Sequence, residues 1–238
     1  VDTRSTLEQV CAAAWPPVVA RTLGDWRLRA SGGYTGRANS ALTNGDPGLP
    51  VNAALAEITR FAGEHGIRPY AQVISGSSWE SPLAAAGWRV NADHPKGAES
   101  AVMHSPLTST GGGADVADKP PNGWLEVAVR GTPTDTQRAV VTGGPLLGYA
   151  TVHRDGRVVG TARGCLVGAW LYVALLEVLP EYRRQGIATH LLDGLDTWAA
   201  ARGATSRVLQ VALVNEVARG IYADLGYVES HRYRYWAP

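Results

Sequence analysis

Lysine is nearly missing from this chain. It stands only at Lys96 and Lys119, so arginine makes up almost all of the 22 basic residues, a bias that reads as GC-rich coding and not as a binding signal. Against 21 acidic residues the formal net charge is +1, which excludes a broad electrostatic field for nucleic acid or a membrane surface; any basic site has to be local. Cysteine is scarce as well. Cys11 and Cys165 lie far apart without metal-ligand spacing, and the histidines neither show such spacing nor pair with a nucleophile, so no metal is expected. A reduced, cytoplasmic setting is the expectation that follows. No apolar run approaches the roughly 20 residues of a membrane helix, and the start Val1-Asp2-Thr3-Arg4 leads into no signal-peptide core. What the chain does have is apolar bulk: 238 residues, 45% hydrophobic, with 8 tryptophans, enough for one large domain or two small ones.

Residues 106–122 lack periodicity and are rich in small and helix-breaking types, including Gly111-Gly112-Gly113 and Pro120-Pro121, so they read as a linker between an N-terminal domain, 1–105, and a C-terminal domain, 123–238. The two sides resemble one another. Val208-Leu209-Gln210-Val211 is a β-type run followed by a helical segment ending at Leu225-Gly226-Tyr227; Tyr70-Ala71-Gln72-Val73 is followed by Leu83-Ala84-Ala85-Ala86-Gly87-Trp88. The interval from the glutamine to the later glycine is 16 positions in one and 15 in the other. A helical stretch precedes each strand, Val51 to Glu64 and Ile187 to Arg202, and two short strand-like pieces follow each Gly-aromatic pair, ending at Met103 and Trp236. Two related α/β units in tandem are therefore expected. In the second, Trp124 to Arg130 alternates as a first strand and Thr134 to Thr142 is a weak helix or loop. Tyr149 to Arg163 forms a hairpin about Asp155-Gly156, and Ala169 to Val178 is a central strand covered on both faces.

That central strand runs into a basic turn and then a helix: Val178-Leu179-Pro180-Glu181-Tyr182-Arg183-Arg184-Gln185-Gly186-Ile187-Ala188. A helix starting there leaves its first N–H groups without intrahelical partners, and their partial positive charge favours a phosphate. Arg183 and Arg184 add charge, and Gly186 permits a tight turn and close approach. An ordinary strand-turn-helix corner with surface arginines has the same local pattern. A second motif reads Asn215-x-x-Ala218-x-x-x-Tyr222-x-x-x-Gly226-Tyr227. Asn215 suits a helix N-cap, Ala218 and Tyr222 share a helix face, and Gly226 suits a helix end.

With the spacing Arg-x-x-Gly-x-Ala and the second motif together, residues from about Trp124 to Trp236 resemble the GNAT family of acyl-CoA N-acyltransferases. The resemblance implies a tandem α/β fold with a mixed central sheet flanked by helices in each unit, the N-terminal one degenerate. It implies acetyl-CoA as cosubstrate, without a metal, and transfer to an amine acceptor by direct attack in a ternary complex. Contacts to CoA would come from Leu176, Val178, Arg183, Arg184, Gln185, Gly186, Ile187, Ala188, Thr189, Asn215 and Tyr222. Tyr222 matches the acid that protonates the departing sulfur; its bland alternative is a core tyrosine capping a carbonyl. The Val178 N–H matches the group that holds the acetyl carbonyl, on a strand that splays after a bulge. Glu177 is the candidate base, directly or through water, or else a carboxylate paired with an arginine; Glu126 is a second candidate, and a water chain would need neither. Cys165 reads as a small buried hydrophobe.

The first half lacks the chemistry. Its turn, Leu42-Thr43-Asn44-Gly45-Asp46-Pro47-Gly48, has no Arg-x-x-Gly-x-Ala, and Leu83 stands where Tyr222 stands in the second. It is expected to help shape the acceptor pocket. Within Gly32-Gly33-Tyr34-Thr35-Gly36-Arg37-Ala38-Asn39-Ser40, either a plain hairpin is formed or Arg37, Asn39 and Ser40 meet a polar group of the acceptor. That segment, with the closing His231-Arg232-Tyr233-Arg234-Tyr235, resembles an actinobacterial group of tandem GNAT proteins, some labelled N-acetylglutamate synthase; Ala212 departs from that group's acidic residue. Glutamate is thus an alternative acceptor, and a non-catalytic acyl-CoA sensor an alternative function. A monomer or homodimer with no nucleic-acid or membrane partner completes the expectation.

Overall fold

A computed structural model describes residues 3–93, 97–108 and 111–238; the first two residues, residues 94–96 with Lys96, and positions 109–110 of the expected linker lie outside them. The chain forms two compact units, Val1–Met103 with Gln210–Pro238, and His104–Leu209. In chain order the first contributes α1 (Thr3–Ala14), β1 (Val19–Leu23), β2 (Trp26–Ala30), β3 (Ala41–Leu42) and α2 (Val51–Glu64). Then come β4 (Ala71–Ile74), α3 (Glu80–Ala85), β5 (Arg89–Val90) and β6 (Glu99–Pro106), within which the chain leaves the unit. The second unit holds β7 (Asp115–Ala117), α4 (Trp124–Val129), α5 (Asp135–Val141), β8 (Leu147–Arg154), β9 (Arg157–Val167), β10 (Trp170–Val178), α6 (Ile187–Ala200) and the start of β11 (Ser206–Ala212). The chain then returns to the first unit for α7 (Glu216–Asp224) and β12 (Val228–Ala237).

Helix α2 coincides with its expected span because Ala54, Leu55, Ile58, Phe61 and Ala62 recur at helical spacing and are buried against Trp26, Leu28, Val73, Leu83 and Trp88. Strand β12 is one continuous strand where two short pieces were expected, and it pairs antiparallel with β4 from Tyr233↔Ile74 to Trp236↔Ala71. That pairing explains why 210–238 belongs with the N-terminal residues and the boundary does not fall at 106–122. The helix-strand-helix order α2, β4, α3 recurs as α6, β11, α7.

The second unit orders its strands β11-β10-β9-β8-β7, with β11 parallel to β10 and the rest antiparallel. Asp155 and Gly156 take φ of 51° and 75° and turn β8 into β9 as expected. Glycines let α6 lie close on this sheet. A Cβ would come within 2.7 Å of Ile187 at Gly160, and within 2.9 Å of Leu195 at Gly164 and of Trp198 at Gly148.

Two expectations are corrected here. Trp124–Val129 is helix α4, not a first strand; Trp124, Leu125 and Ala128 are buried, and the indole N–H of Trp124 donates to the Ala150 carbonyl at 2.9 Å. The first strand of the unit is β7, inside the expected linker. There the glycines serve close packing, not flexibility: Ala114 donates to His190 O at 2.9 Å and Thr197 Oγ1 to Gly112 O at 2.8 Å. An added Cβ on Gly194 would sit 2.3 Å from the Ala114 carbonyl oxygen.

Candidate active site

Strand β10 is regular up to Ala174, opposite Arg163, and resumes at Glu177, opposite Thr161. It thus carries an extra residue against β9, a β-bulge, with Leu175 in the left-handed region at φ 53°. The parallel ladder to β11 runs from Trp170↔Ser206 to Val173↔Leu209, so Leu175 to Val178 lie beyond its last registered pair. The bulge expected on the resemblance is present in the strand that carries Leu176, Glu177 and Val178.

After Leu179 a 3-10 turn, Pro180–Tyr182, leads to Arg183, Arg184 at φ 62°, and Gly186 at φ 74°. Gly186 is the N-cap of α6, and no side chain caps that helix, so the first-turn N–H groups are open to an external acceptor. Nothing lies within 4 Å of where a Gly186 Cβ would be. The left-handed backbone favours glycine there, and among the described residues the space above it is open to an incoming group. Arg183, Arg184, Gln185 and Thr189 are exposed, and Arg183 Nε donates back to the Val178 carbonyl at 3.1 Å. Two arginines, an uncapped helix end and an open glycine form a donor set suited to a diphosphate.

Beside this turn lies a cleft of about 550 Å³, walled by Glu126 and Arg130 from α4 and its end, Arg157 from β9, and Glu177, Val178 and Arg183. Glu177 is bound rather than bare. Its Oε2 accepts from Arg130 Nε at 3.1 Å and from Arg130 Nη2 at 2.7 Å, while Arg157 faces Glu181 at 3.6 Å. Glu126 is exposed on the helix, not on a strand as expected. Arg130 and Arg157 are the cleft residues that sequence reasoning missed; Arg130 was hidden inside an expected strand, and nothing local marks its partner 47 positions away.

In the other unit, Asn215 caps α7 as its side-chain oxygen accepts from the Ala218 N–H at 3.3 Å. Tyr222 is buried, its ring 5.6 Å from that of Tyr227. Gly226, at φ 83°, closes the helix: its N–H reaches Ala223 O at 2.9 Å while Tyr227 N–H reaches Tyr222 O at 3.0 Å. Leu83, at the matching place in the first half, is buried core.

Asn39 and Ser40, expected to meet the acceptor, lie in the loop that leads into β3. Both are buried with their polar groups engaged locally: Asn39 Oδ1 accepts from Ser31 N at 2.7 Å and Gly33 N at 2.9 Å, and its Nδ2 donates to Thr35 O at 2.8 Å. Ser40 Oγ accepts from Arg29 at 2.9 Å and donates to Gly36 O at 2.8 Å. They hold the loop's shape. Arg37 is half-buried, its guanidinium 5.3 Å from the Trp15 ring centroid and donating to Gln210 Oε1 at 3.1 Å.

Cys165 and Cys11 are buried free thiols, and burial pushes both up from the usual thiol range, which disfavours the thiolate. Among the described residues no group of three or more His, Cys, Asp or Glu is placed to hold a metal, and no helix is long and apolar enough to cross a membrane.

The chain matches the family model described as the C-terminal part of the probable histone acetyltransferase Rv0428c over residues 2–236. It is 22% identical over 98% of its length to an uncharacterized N-acetyltransferase, YobR, of Bacillus subtilis, spanning 99% of that protein. To the probable histone acetyltransferase Rv0428c of Mycobacterium tuberculosis it is 28% identical over 96% of its own length and 72% of the relative's. The structure of a GCN5-related N-acetyltransferase from Kribbella flavida superposes with a TM-score of 0.68 at 16% identity, covering 99% of this chain and 95% of that one. With the bulged strand and the uncapped, arginine-flanked helix end in place, the chain belongs to the Rv0428c C-terminal family within the GNAT N-acetyltransferases and is an acyltransferase.

Proposed function

We propose that the chain transfers an acetyl group from acetyl-CoA to a primary amine of a small molecule or peptide, by direct attack within one ternary complex. The observation that carries this reading is the cleft lined by Glu177 and Val178, which directly follow the bulge of β10, and by Arg183 of the turn that leads into α6. Arg183, Arg184 and the first N–H groups of α6, at Ile187, Ala188 and Thr189, hold the diphosphate, with Gln185 and Gly186 shaping the turn. Leu176 and the Val178 backbone line the pantetheine path. When bound, the thioester supplies an activated acetyl carbon. As the amine nitrogen bonds to that carbon and the C–S bond breaks, one amine proton passes to Glu177, directly or through water, and Tyr222 protonates the sulfur. The roles of Tyr222 and of Asn215, as a pantetheine contact, rest on the motif of α7. Arg37, Asn39 and Ser40 are the proposed acceptor contacts. The two related halves, a cytoplasmic location and a monomeric or homodimeric state belong to the same proposal.

Thiol release from acetyl-CoA across amino acids including glutamate, polyamines, aminoglycosides and peptide N-termini tests the reading. At least one amine class should give turnover, and Arg183→Ala should weaken acetyl-CoA binding about tenfold, the worth of one charge-assisted contact. CoA bound tightly with no thiol released from any amine would make the chain a sensor instead. Unchanged affinity in the variant would remove the α6 turn from the argument.

A further inference from the structure

Two backbone irregularities converge on one ion pair that lines the cleft. Helix α4 ends at Arg130, which takes φ 58° and ψ 44°, the left-handed conformation that glycine adopts at no steric cost and other residues resist. The chain uses glycine at the corresponding end of α7, at Gly226, and has one available in the next position, Gly131. Stability alone would favour glycine at 130, because an ion pair as open to water as this one, with the Arg130 side chain 69% exposed, adds little. The partner is presented by a second irregularity, the bulge with Leu175 at φ 53° that displaces Glu177 along β10. Backbone strain kept on both sides of a single contact in a cleft is the pattern of a functional arrangement.

On the acyl-transfer reading above, we propose that Arg130 is the positioning residue for Glu177. Both Arg130 N–H groups donate to the same oxygen, Oε2. This fixes the carboxylate plane and leaves Oε1, which has no hydrogen-bond partner in the described residues, to face the amine. The proton lost by the attacking nitrogen forms an O–H bond at Oε1, while the guanidinium keeps its own protons and holds the group still. Arg130 therefore touches neither the acetyl donor nor the reacting nitrogen.

Arg130→Gly and Arg130→Lys, compared with the wild type, test this through thiol release, acetyl-CoA affinity by calorimetry, and thermal unfolding. Arg130→Gly should lower kcat about tenfold, leave acetyl-CoA affinity unchanged and raise or preserve Tm, since glycine relieves the left-handed backbone. Arg130→Lys, which restores the charge with one donor group, should recover part of the lost kcat. Wild-type kcat in Arg130→Gly would overturn the positioning role, as would a fall in kcat that tracks a fall in Tm. A wild-type chain that acetylates no amine would instead overturn the reading on which the inference rests, so the two failures are distinguishable.

Discussion

The buried carboxylate of Asp196 ties stability to pH in a direction opposite to most acidic residues. Asp196 lies on α6 with its side chain 2% exposed; one oxygen pairs with the Arg207 guanidinium, and the other, Oδ1, has no hydrogen-bond partner among the described residues. Burial pushes its pKa up from 3.8 to about 6, against the pull of Arg207 in the other direction. The folded state therefore binds this proton more tightly than the unfolded chain does. Its contribution is fully present below the unfolded value near 3.8 and is lost as pH rises to about 6. A rise of about 2 units corresponds to roughly 3 kcal/mol. Other groups titrate in the same window, so the readout is the difference between wild type and Asp196→Asn, which cannot ionise. Urea unfolding followed by tryptophan fluorescence from pH 3.5 to 7 should show the variant gaining up to about 3 kcal/mol on the wild type as pH rises. The pull of Arg207 on the carboxylate is already contained in that pH-dependent difference, and the substitution itself adds an offset that does not change the slope. A gap that stays constant, or a wild type that gains on the variant, would mean that the ion pair outweighs burial and would refute the argument.

Gly194→Ala should destabilise the protein by about 2 kcal/mol or more, because the new Cβ meets the backbone of Ala114, which cannot rotate away. Thermal unfolding should show this as a Tm lowered by about 4–8 °C; an unchanged Tm would mean that 112–114 is the loose connection its composition suggests. Tyr222→Phe should lower kcat by about 100-fold at unchanged acetyl-CoA affinity. Full activity across pH would assign the phenol to packing against Tyr227.

Much of the architecture was legible because it is locally encoded. The apolar period of Val51–Glu64, the Asp155-Gly156 turn and the basic corner before Ile187 each state their structure within a few residues. The glycine-led start of α6 and the Asn215 cap belong to the same class, since both are properties of a helix start. Where sequence reading failed, one local signal had two physical meanings. Trp124 to Arg130 is too short for alternation to exclude a helical period, and the burial of Trp124, Leu125 and Ala128 selects the helix. Glycines in 111–113 suit a flexible linker and a tight crossing equally, and Gly194 on α6 selects the crossing.

Sequence by itself determined the family, the basic turn that opens into a helix and the order of most elements, because these depend on neighbours in the chain. Tertiary structure alone decided the pairing of β12 with β4, the register slip at the β10 bulge and the capture of Glu177 by Arg130. Each of these depends on partners separated by many residues, and on backbone conformations that only the packed fold can hold in place.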